Sequence, residues 1–276
     1  MNYRHAFHAG NHADVLKHAI LVFCLDALLR KPTPFAVLDT HAGRGLYNLE
    51  GDEATRSPEW RDGVGKLWPA KEPPAILQRY LGAIRAFNAD GALRTYPGSP
   101  ALIARALRAD DVFMACELHP EEHAALRRTL PRLPGVQLHL RDGWEALTAL
   151  LPPPQRRGLV LIDPPYEAPD DLDRAVRSLA AALKRFAHGV FLWWRPLKSG
   201  ADLDAADAEL CMHTHGSGVR PTLRADLWAA PAQATGKLTA SSMFVVNPPF
   251  GLEDALREGL PAITAAFGEG AGWRIS

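Results

Sequence analysis

Short apolar runs that end at a polar or glycine-rich stretch recur along the chain. Most have the length and the branched or aromatic content of strands buried on both faces, which is typical of a parallel sheet. These runs, of which the last two would form a closing pair, lie at 35–39, 112–117, 136–140, 158–162, 189–194, 224–229 and 242–246. The pattern predicts an α/β fold whose seven-stranded, mostly parallel sheet carries helices on both faces.

The first helix is predicted at 12–30, with Asn11 as its N-cap. Its apolar stripe leaves Lys17 on another side and consists of Val15, Ala19, Val22, Phe23 and Ala27. Residues 1–10 before it form an irregular N-terminal arm. The histidines of this region match no familiar ligand spacing, so no metal is expected. His18 is interpreted either as a polar contact to a ligand or as a capping or packing histidine.

The segment 46–96 is far longer than the dozen or so residues that a parallel crossover needs. Residues 75–88 within it have helical apolar spacing, so an inserted, mostly helical subdomain is predicted in a chain that otherwise forms a single domain. Trp60 and Trp68 lie among arginines and lysines there. This mixture suits a nucleic-acid contact, but a solvated cap on the core explains it equally well.

Composition limits the class of protein. With 47% apolar and 22% charged residues, the chain has an ordinary globular composition. Its 31 basic and 31 acidic residues give no net charge, so binding to a nucleic acid would need a local basic patch. The three cysteines are far apart, which fits a reducing cytoplasm. No apolar run approaches the roughly 20 residues of a membrane span, so no membrane is expected.

Acidic residues and glycines follow the first two strands. Asp39 ends the first strand and leads into a loop that contains Gly43 and Gly45, where the backbone can approach a ligand closely. Glu117 ends the second strand, and in a doubly wound sheet an acid at this position hydrogen-bonds ribose hydroxyls. The alternative for the glycine loop is a simple turn.

Two helix starts add further candidates. Asp142 and Gly143 follow the third strand and lead into a short helix. Ser99 is predicted to be an N-cap with Pro100 at the first helical position, in front of a helix at 101–108. A helix start can hold an anion. Whether Ser99 also contacts a ligand stays open.

The fourth strand ends in Asp163-Pro164-Pro165-Tyr166. This corner suits transfer to a planar amine, whose delocalised lone pair makes it a poor nucleophile. Asp163 and the Pro164 carbonyl could each accept one N–H, which orients the nitrogen and stabilises its developing positive charge. Tyr166 could stack on a base. The alternative is a turn that merely ends the strand, and a similar sequence at Asn247–Phe250 offers a second candidate corner.

The order of strands, acids and glycine loop resembles the Rossmann-like class I methyltransferases that use S-adenosylmethionine, with a motif of the N6-adenine type. In that class the acceptor corner follows the fourth strand, which selects Asp163 and leaves Asn247 a structural role. Four blocks further resemble the bacterial large-subunit ribosomal RNA adenine-N6 methyltransferases of the J type (RlmJ). They lie at Tyr3–His18, Leu38–Gly43, Tyr96–Pro100 and Leu161–Tyr166.

This resemblance implies an enzyme that methylates the N6 amine of one adenosine in 23S rRNA, with Asp163, Pro164 and Tyr166 as catalytic residues. It implies that Tyr3 contacts the RNA from a mobile arm, 1–10, and that the insertion 46–96 helps to hold RNA. The expected partner is protein-free or early-assembly RNA, met by a monomer in the cytoplasm. The methyl donor, S-adenosylmethionine, would contact His18, His41, Ser99, Glu117, Asp142 and Gly143.

Other functions remain open at this point. A DNA adenine methyltransferase or a protein-glutamine methyltransferase would use the same corner. A non-catalytic RNA-binding protein could keep the fold, although the presence of both Glu117 and Asp163 argues against it. A nucleotide-binding oxidoreductase is disfavoured because the three-glycine fingerprint is missing.

Overall fold

The computed structural model describes residues 5–130, 132, 134–198, 200–214, 221–230 and 238–276. The predicted RNA contact, Tyr3, therefore lies outside the described residues. No helix within the described ranges is long and apolar enough to cross a membrane. In the same ranges, no group of three or more histidines, cysteines and acids is arranged to hold a metal ion.

The strands form one large sheet and one small one. Their bounds are β1 Ala36–Asp39, β2 Leu46–Asn48, β3 Thr95–Pro97, β4 Val112–Cys116, β5 Val136–His139, β6 Gly158–Ile162, β7 Val190–Pro196, β8 Thr222–Trp228, β9 Ala240–Val246 and β10 Gly272–Ile275. In the described part of the chain, the large sheet has eight strands in the order β10-β8-β9-β7-β6-β1-β4-β5, and β2 pairs with β3 separately. Because β5, β4, β1, β6 and β7 are parallel to one another, the predicted mostly parallel sheet is confirmed.

The strand count of seven was one too low. The additional strand, β10, pairs antiparallel with β8, and Trp273 lies opposite Leu227. It begins at Gly272 and contains only two apolar side chains, so it lacks the continuous apolar run of a central strand. An edge strand of this kind is stabilised by pairing with its neighbour, so its own hydrophobic pattern does not reveal it.

Helices cover both faces of the large sheet. They are α1 His12–Leu29, α2 Asp52–Arg56, α3 Val64–Leu67, α4 Ala75–Arg85, α5 Ser99–Ala106, α6 Pro120–Thr129, α7 Gly143–Ala149, α8 Asp171–Arg185, α9 Gly200–Thr214 and α10 Leu252–Phe267. Side chains of α1, α4, α5 and α10 share one apolar core, whereas α7, α8 and α9 contribute to a second core. Successive residues of β6 alternate between the two cores, as the pleat of a strand requires.

Helix α1 is buried on every side rather than along one stripe. Asn11 caps it as predicted, because its side-chain oxygen accepts the N–H groups of Ala13 and Asp14. The helix lies against β6–β9 and is covered by α4, α5 and α10. Lys17, predicted to point away from the apolar stripe, is therefore only 4% exposed. A buried ammonium must be paired, and its partners lie in the cleft described below.

The segment between β1 and β4 contains β2, α2, α3, α4 and β3, and α4 packs on α1 and α10. The described part of the N-terminal arm, 5–10, lies against this segment. His8 bonds to Glu59 at 2.9 Å, and the Val64 N–H donates to the Gly10 carbonyl. The mobility of the arm and the boundaries of the insertion stay predictions.

Candidate active site

A cleft of about 440 Å³ opens at the carboxyl ends of the parallel strands. The chain runs from β1 outward to β4 and β5, and then returns to β6 and β7 on the other side of β1. Such a switch point leaves a crevice beyond the strand ends, which is where open α/β sheets bind ligands. The cleft is lined by residues that follow β1, β4, β6 and β7 and by the first turns of α1.

The structure brings most of the predicted site residues together. Those that line the cleft are His18, His41, Ser99, Glu117, Asp163, Pro164 and Tyr166. Asp142 and Gly143 do not line it. The Asp142 carboxylate caps α7 by accepting the Trp144 N–H at 2.8 Å and also accepts from Arg174. A Cβ on Gly143 would lie 2.1 Å from the Thr40 carbonyl oxygen, so this glycine lets α7 approach the loop after β1.

Asp163 is held by a cation from α1. The Lys17 Nζ lies 2.5 Å from Asp163 Oδ2 and 2.8 Å from Asp14 Oδ1, so one buried ammonium bridges two carboxylates. Burial by itself lowers the pKa of Lys17, but the charges of Asp14 and Asp163 raise it above its ordinary value. No described residue bonds to Asp163 Oδ1, which leaves that oxygen for a substrate.

Asp14 anchors this arrangement from inside the protein. Its Oδ2 accepts the Gly10 N–H at 2.8 Å and lies 2.9 Å from His5 Nε2. Burial alone would raise the pKa of Asp14, but the nearby charges of His5 and Lys17 hold that pKa well below its usual range. Asp14 is therefore ionised at neutral pH and fixes the ammonium of Lys17 beside the acceptor corner.

Ser99 does not cap α5, which corrects the prediction. Gly98 is the N-cap and Pro100 stands at the second helical position. The Ser99 hydroxyl instead donates to Asp39 Oδ2 at 2.6 Å. Burial raises the pKa of Asp39 to about 7, although the Ser99 hydrogen bond acts against this shift. Ser99 thus ties the start of α5 to the end of β1 at the floor of the cleft.

Two histidines of the cleft are neutral. Burial lowers the pKa of His18 to about 3 and that of His41 to about 4. His18 Nδ1 pairs with the Tyr96 hydroxyl at 2.7 Å. Its buried Nε2 lies 3.9 Å from Asp14 Oδ1 and has no hydrogen-bond partner among the described residues. His41 pairs with the Thr40 hydroxyl and meets the Trp144 ring edge-on at 5.3 Å. Whether either histidine contacts a ligand stays a prediction.

Glu117 closes the end of the cleft beside β4. Its two carboxylate oxygens accept the N–H groups of Gly43 at 2.8 Å and of His119 at 2.7 Å. Gly43 has a φ of +63°, and a Cβ there would lie 2.5 Å from the Tyr47 hydroxyl. The glycine loop is therefore shaped by a left-handed turn that a larger residue would disrupt. Burial raises the pKa of Glu117.

Tyr166 has a constrained position at the opposite end. Its φ of +50° is unusual for a residue other than glycine. The hydroxyl accepts the Trp193 indole N–H at 2.7 Å and donates to the Trp194 carbonyl at 3.0 Å. Burial raises the pKa of Tyr166. The ring lies 5.9 Å from the Trp194 ring, so two aromatic side chains line this end of the cleft.

The second candidate corner, at Asn247, lies at the opposite end of the strands from the cleft, because β9 is antiparallel to β7. Val246, which precedes Asn247, pairs with Phe191 near the start of β7, whereas Ile162 pairs with Trp193 farther along that strand. The Asn247 amide donates to the carbonyls of residues 187 and 189, at 2.8 and 2.7 Å. Its side chain thus fastens a turn, in agreement with the structural role predicted for it.

The cleft also contains three residues that were not predicted to belong to it: Asp14, Lys17 and Trp194. A signal was present for the first two, because Asp14 and Lys17 are an acid and a base three residues apart in a helix with few other charges. Such a pair in an apolar helix indicates buried, mutually neutralised charges. Trp194 had no comparable signal, since an aromatic residue in a central strand is ordinarily part of the core.

Comparison with known proteins identifies the family of this chain. The family model described as "Ribosomal RNA large subunit methyltransferase D, RlmJ" matches residues 32–276. The chain belongs to this family. It is 39% identical over 261 residues to the ribosomal RNA large subunit methyltransferase J of Escherichia coli (strain K12), which covers 95% of this chain and 92% of the relative. The J methyltransferase of Haemophilus influenzae is also 39% identical, over 278 residues that cover 100% of this chain and 98% of the relative.

The fold is shared over the whole chain. The crystal structure of a Legionella pneumophila protein superposes with a TM-score of 0.88 at 30% sequence identity, and the match covers 98% of both chains. The insertion between β1 and β4 is therefore matched along with the central sheet. The cleft described above lies within a chain that is similar to these relatives from end to end.

Proposed function

We propose that this chain transfers a methyl group from S-adenosylmethionine to the N6 amine of a specific adenosine in 23S rRNA. As a member of the J family, the chain is a ribosomal RNA methyltransferase. The observation that carries the finer proposal is the placement of Asp163 in one cleft with His18, His41, Ser99 and Glu117. One end of that cleft suits an amine acceptor, and the other suits a nucleoside-containing donor.

The residues present fit the methyl donor. The cleft volume lies within the range of roughly 300–1,000 Å³ that is usual for small-molecule sites. Glu117 follows β4, where ribose hydroxyls are bound in doubly wound folds. His18 lines the cleft with an Nε2 that has no hydrogen-bond partner in the described part of the chain, and Gly43 keeps the loop close to the cleft. When bound, the donor would supply an electrophilic methyl group. Asp142 and Gly143 do not line the cleft, so they would act indirectly, by holding α7 against the loop that follows β1.

The acceptor corner explains how a weak nucleophile reacts. Asp163 Oδ1 and the Pro164 carbonyl would accept the two N–H groups of the adenine amine, while Tyr166 stacks on the base. Lys17 keeps the other carboxylate oxygen fixed, so that the amine is oriented rather than merely bound. As the nitrogen forms its new bond to carbon, positive charge develops on it and is stabilised by Asp163. The surplus proton would leave through the same carboxylate during or after transfer.

The RNA must present the adenosine in an unstacked form, because the amine is unreachable inside a helix. The N-terminal arm with Tyr3 and the insertion 46–96 would hold the RNA around the cleft. The chain has no net charge, so affinity would come from local basic groups such as those on the insertion. Protein-free or early-assembly RNA is the proposed substrate, and the enzyme is proposed to act as a monomer.

The test offers labelled S-adenosylmethionine with protein-free ribosomal RNA, duplex DNA and a protein mixture in parallel, followed by digestion to nucleosides and amino acids. Label recovered as N6-methyladenosine from the large ribosomal RNA alone supports the proposal. Label in DNA or in glutamine would overturn the substrate. The variant Asp163→Ala is expected to lose turnover and to keep donor binding in calorimetry; loss of donor binding would make Asp163 a donor contact instead.

A further inference from the structure

The proton of the Tyr166 hydroxyl is used within the protein. The hydroxyl accepts the Trp193 indole N–H at 2.7 Å and donates its proton to the Trp194 carbonyl at 3.0 Å. A phenol has a single proton to donate, so this hydroxyl has none left for the substrate. Tyr166 therefore does not act on a substrate as a hydrogen-bond donor, and its ring is the part that can stack on a base.

Trp193 is itself rigidly placed. It is fully buried in the middle of the sheet, where β7 runs between β6 and β9. The Arg195 guanidinium lies over its ring at 4.6 Å, and the Phe244 ring meets it edge-on at 6.2 Å. Arg195 is in turn paired with Asp207 of α9. The indole N–H therefore projects from a fully buried and closely packed part of the sheet.

The acceptor corner needs such an external support. It has no helical or strand structure between Asp163 and Tyr166, and two prolines remove the backbone donors that could fix it. Tyr166 also adopts a left-handed backbone, which a non-glycine residue keeps only when its surroundings impose it. Lys17 holds the start of this stretch at Asp163, and the hydrogen bond from Trp193 joins its end, at Tyr166, to the sheet.

We propose that Trp193 is a positioning residue for methyl transfer: its indole N–H holds the Tyr166 hydroxyl and thereby fixes the aromatic ring and the Asp163 corner against the reacting amine. The inference rests on the proposed function, because it assigns a role within that reaction. It also means that the Tyr166 hydroxyl serves to hold the acceptor corner in place rather than to bind the substrate.

The test compares Trp193→Phe, Tyr166→Phe and the double variant with the wild-type protein in methyl transfer at saturating donor and RNA. Each single change removes one end of the Trp193–Tyr166 hydrogen bond and keeps an aromatic ring, and Tyr166→Phe also removes the bond to the Trp194 carbonyl, so it is expected to be the slower of the two. Because misplacement of about 1 Å can cost on the order of a hundredfold in rate, each is expected to lower kcat by about ten- to a hundredfold. The double variant is expected to be no slower than the slower single variant, since the bond is already absent.

Two readouts separate positioning from loss of structure. Calorimetric titration with S-adenosylmethionine gives the donor Kd and the fraction of binding-competent protein, and both are expected to stay at wild-type values. Trp273→Phe, which changes an indole of β10 away from the cleft, is expected to keep wild-type kcat. Tyr166→Phe alters the less buried end of the bond, so it remains informative if Trp193→Phe does not fold.

Three results would overturn the inference: an unchanged kcat in both single variants, losses that multiply in the double variant, or a loss of activity that only follows a loss of binding-competent protein. A wild-type protein that transfers no methyl group to any RNA would instead overturn the proposed function.

Discussion

Replacement of Lys17 by methionine tests the link between stability and the acceptor corner. Methionine keeps the length and apolar character of the side chain but removes the ammonium that bridges Asp14 and Asp163. Both Lys17 and Asp14 are nearly fully buried. The change therefore leaves the Asp14 carboxylate buried without the ammonium that pairs with it. It also releases the Asp163 carboxylate at the acceptor corner.

The expected loss of stability depends on the hydrogen bonds that Asp14 keeps after the change. Breaking a buried ion pair by removing one partner costs about 3–5 kcal/mol. Asp14 keeps the Gly10 N–H and the ring of His5, which places the expected loss near the lower end of that range. A loss of about 3 kcal/mol would lower Tm by about 6–12 °C for a domain of this size. Turnover is expected to fall further than the folded fraction, because Asp163 is no longer fixed.

Denaturant unfolding and methyl transfer per folded molecule measure the two effects. The matched control is Lys66→Met, which removes an exposed lysine that pairs with Asp62 and donates to the Phe267 carbonyl at 3.0 Å, and its cost should stay within about 2 kcal/mol. The double variant Lys17→Met, Asp14→Asn should recover part of the stability, because the unpaired buried charge is gone, but it should not recover turnover. If Lys17→Met unfolds and turns over like the wild type, the bridging role is wrong.

Three further changes have defined outcomes. Gly143→Ala should lower Tm markedly because a Cβ would lie 2.1 Å from a backbone oxygen, whereas Gly82→Ala, with nothing within 4 Å, should raise stability by about 0.5–1 kcal/mol. Asn247→Ala should cost about 1–3 kcal/mol in denaturant unfolding and leave turnover per folded molecule unchanged, because its amide donates to the carbonyls of Ala187 and Gly189, which do not line the cleft. Burial raises the pKa of Asp39 from 3.8 to about 7, so the stability it contributes should be full below about pH 4 and lost as pH rises to about 7. Ser99→Ala removes a bond that lowers this pKa and should extend the pH dependence of Tm above pH 7; an unshifted curve would contradict the assignment.

The strand ends were the most predictable part of the molecule. The fourth predicted strand, 158–162, has the observed bounds of β6, because a continuous apolar run is closed by an acid and two prolines. Three parallel strands end in or are followed by an acid: Asp39, Glu117 and Asp163. The geometry of such a sheet brings these side chains to the same end of the strands. These residues could be placed together without knowledge of any tertiary contact.

The remaining features depend on contacts that local sequence does not encode. Ser99 has the signature of an N-cap, yet its hydroxyl is drawn to the buried carboxylate of Asp39, which is distant in sequence. Lys17 was placed outside the apolar stripe of α1, but its side chain is buried in the cleft, where its ammonium pairs with Asp163, 146 residues away in sequence. In both cases the tertiary partner, rather than the local pattern, decided what the side chain does.

The burial of α1 on all sides has a consequence for biosynthesis. This helix is made before β8, β9 and α10, on which it packs. While the chain is being synthesised, part of its apolar surface has no completed partner, so we expect it to stay in a partly folded or protected form. Because Lys17 lies on this helix, we expect its ammonium to fix Asp163 only after these C-terminal elements have packed. A chain truncated before β8 is therefore expected to lack a finished acceptor corner, although it keeps both Lys17 and Asp163.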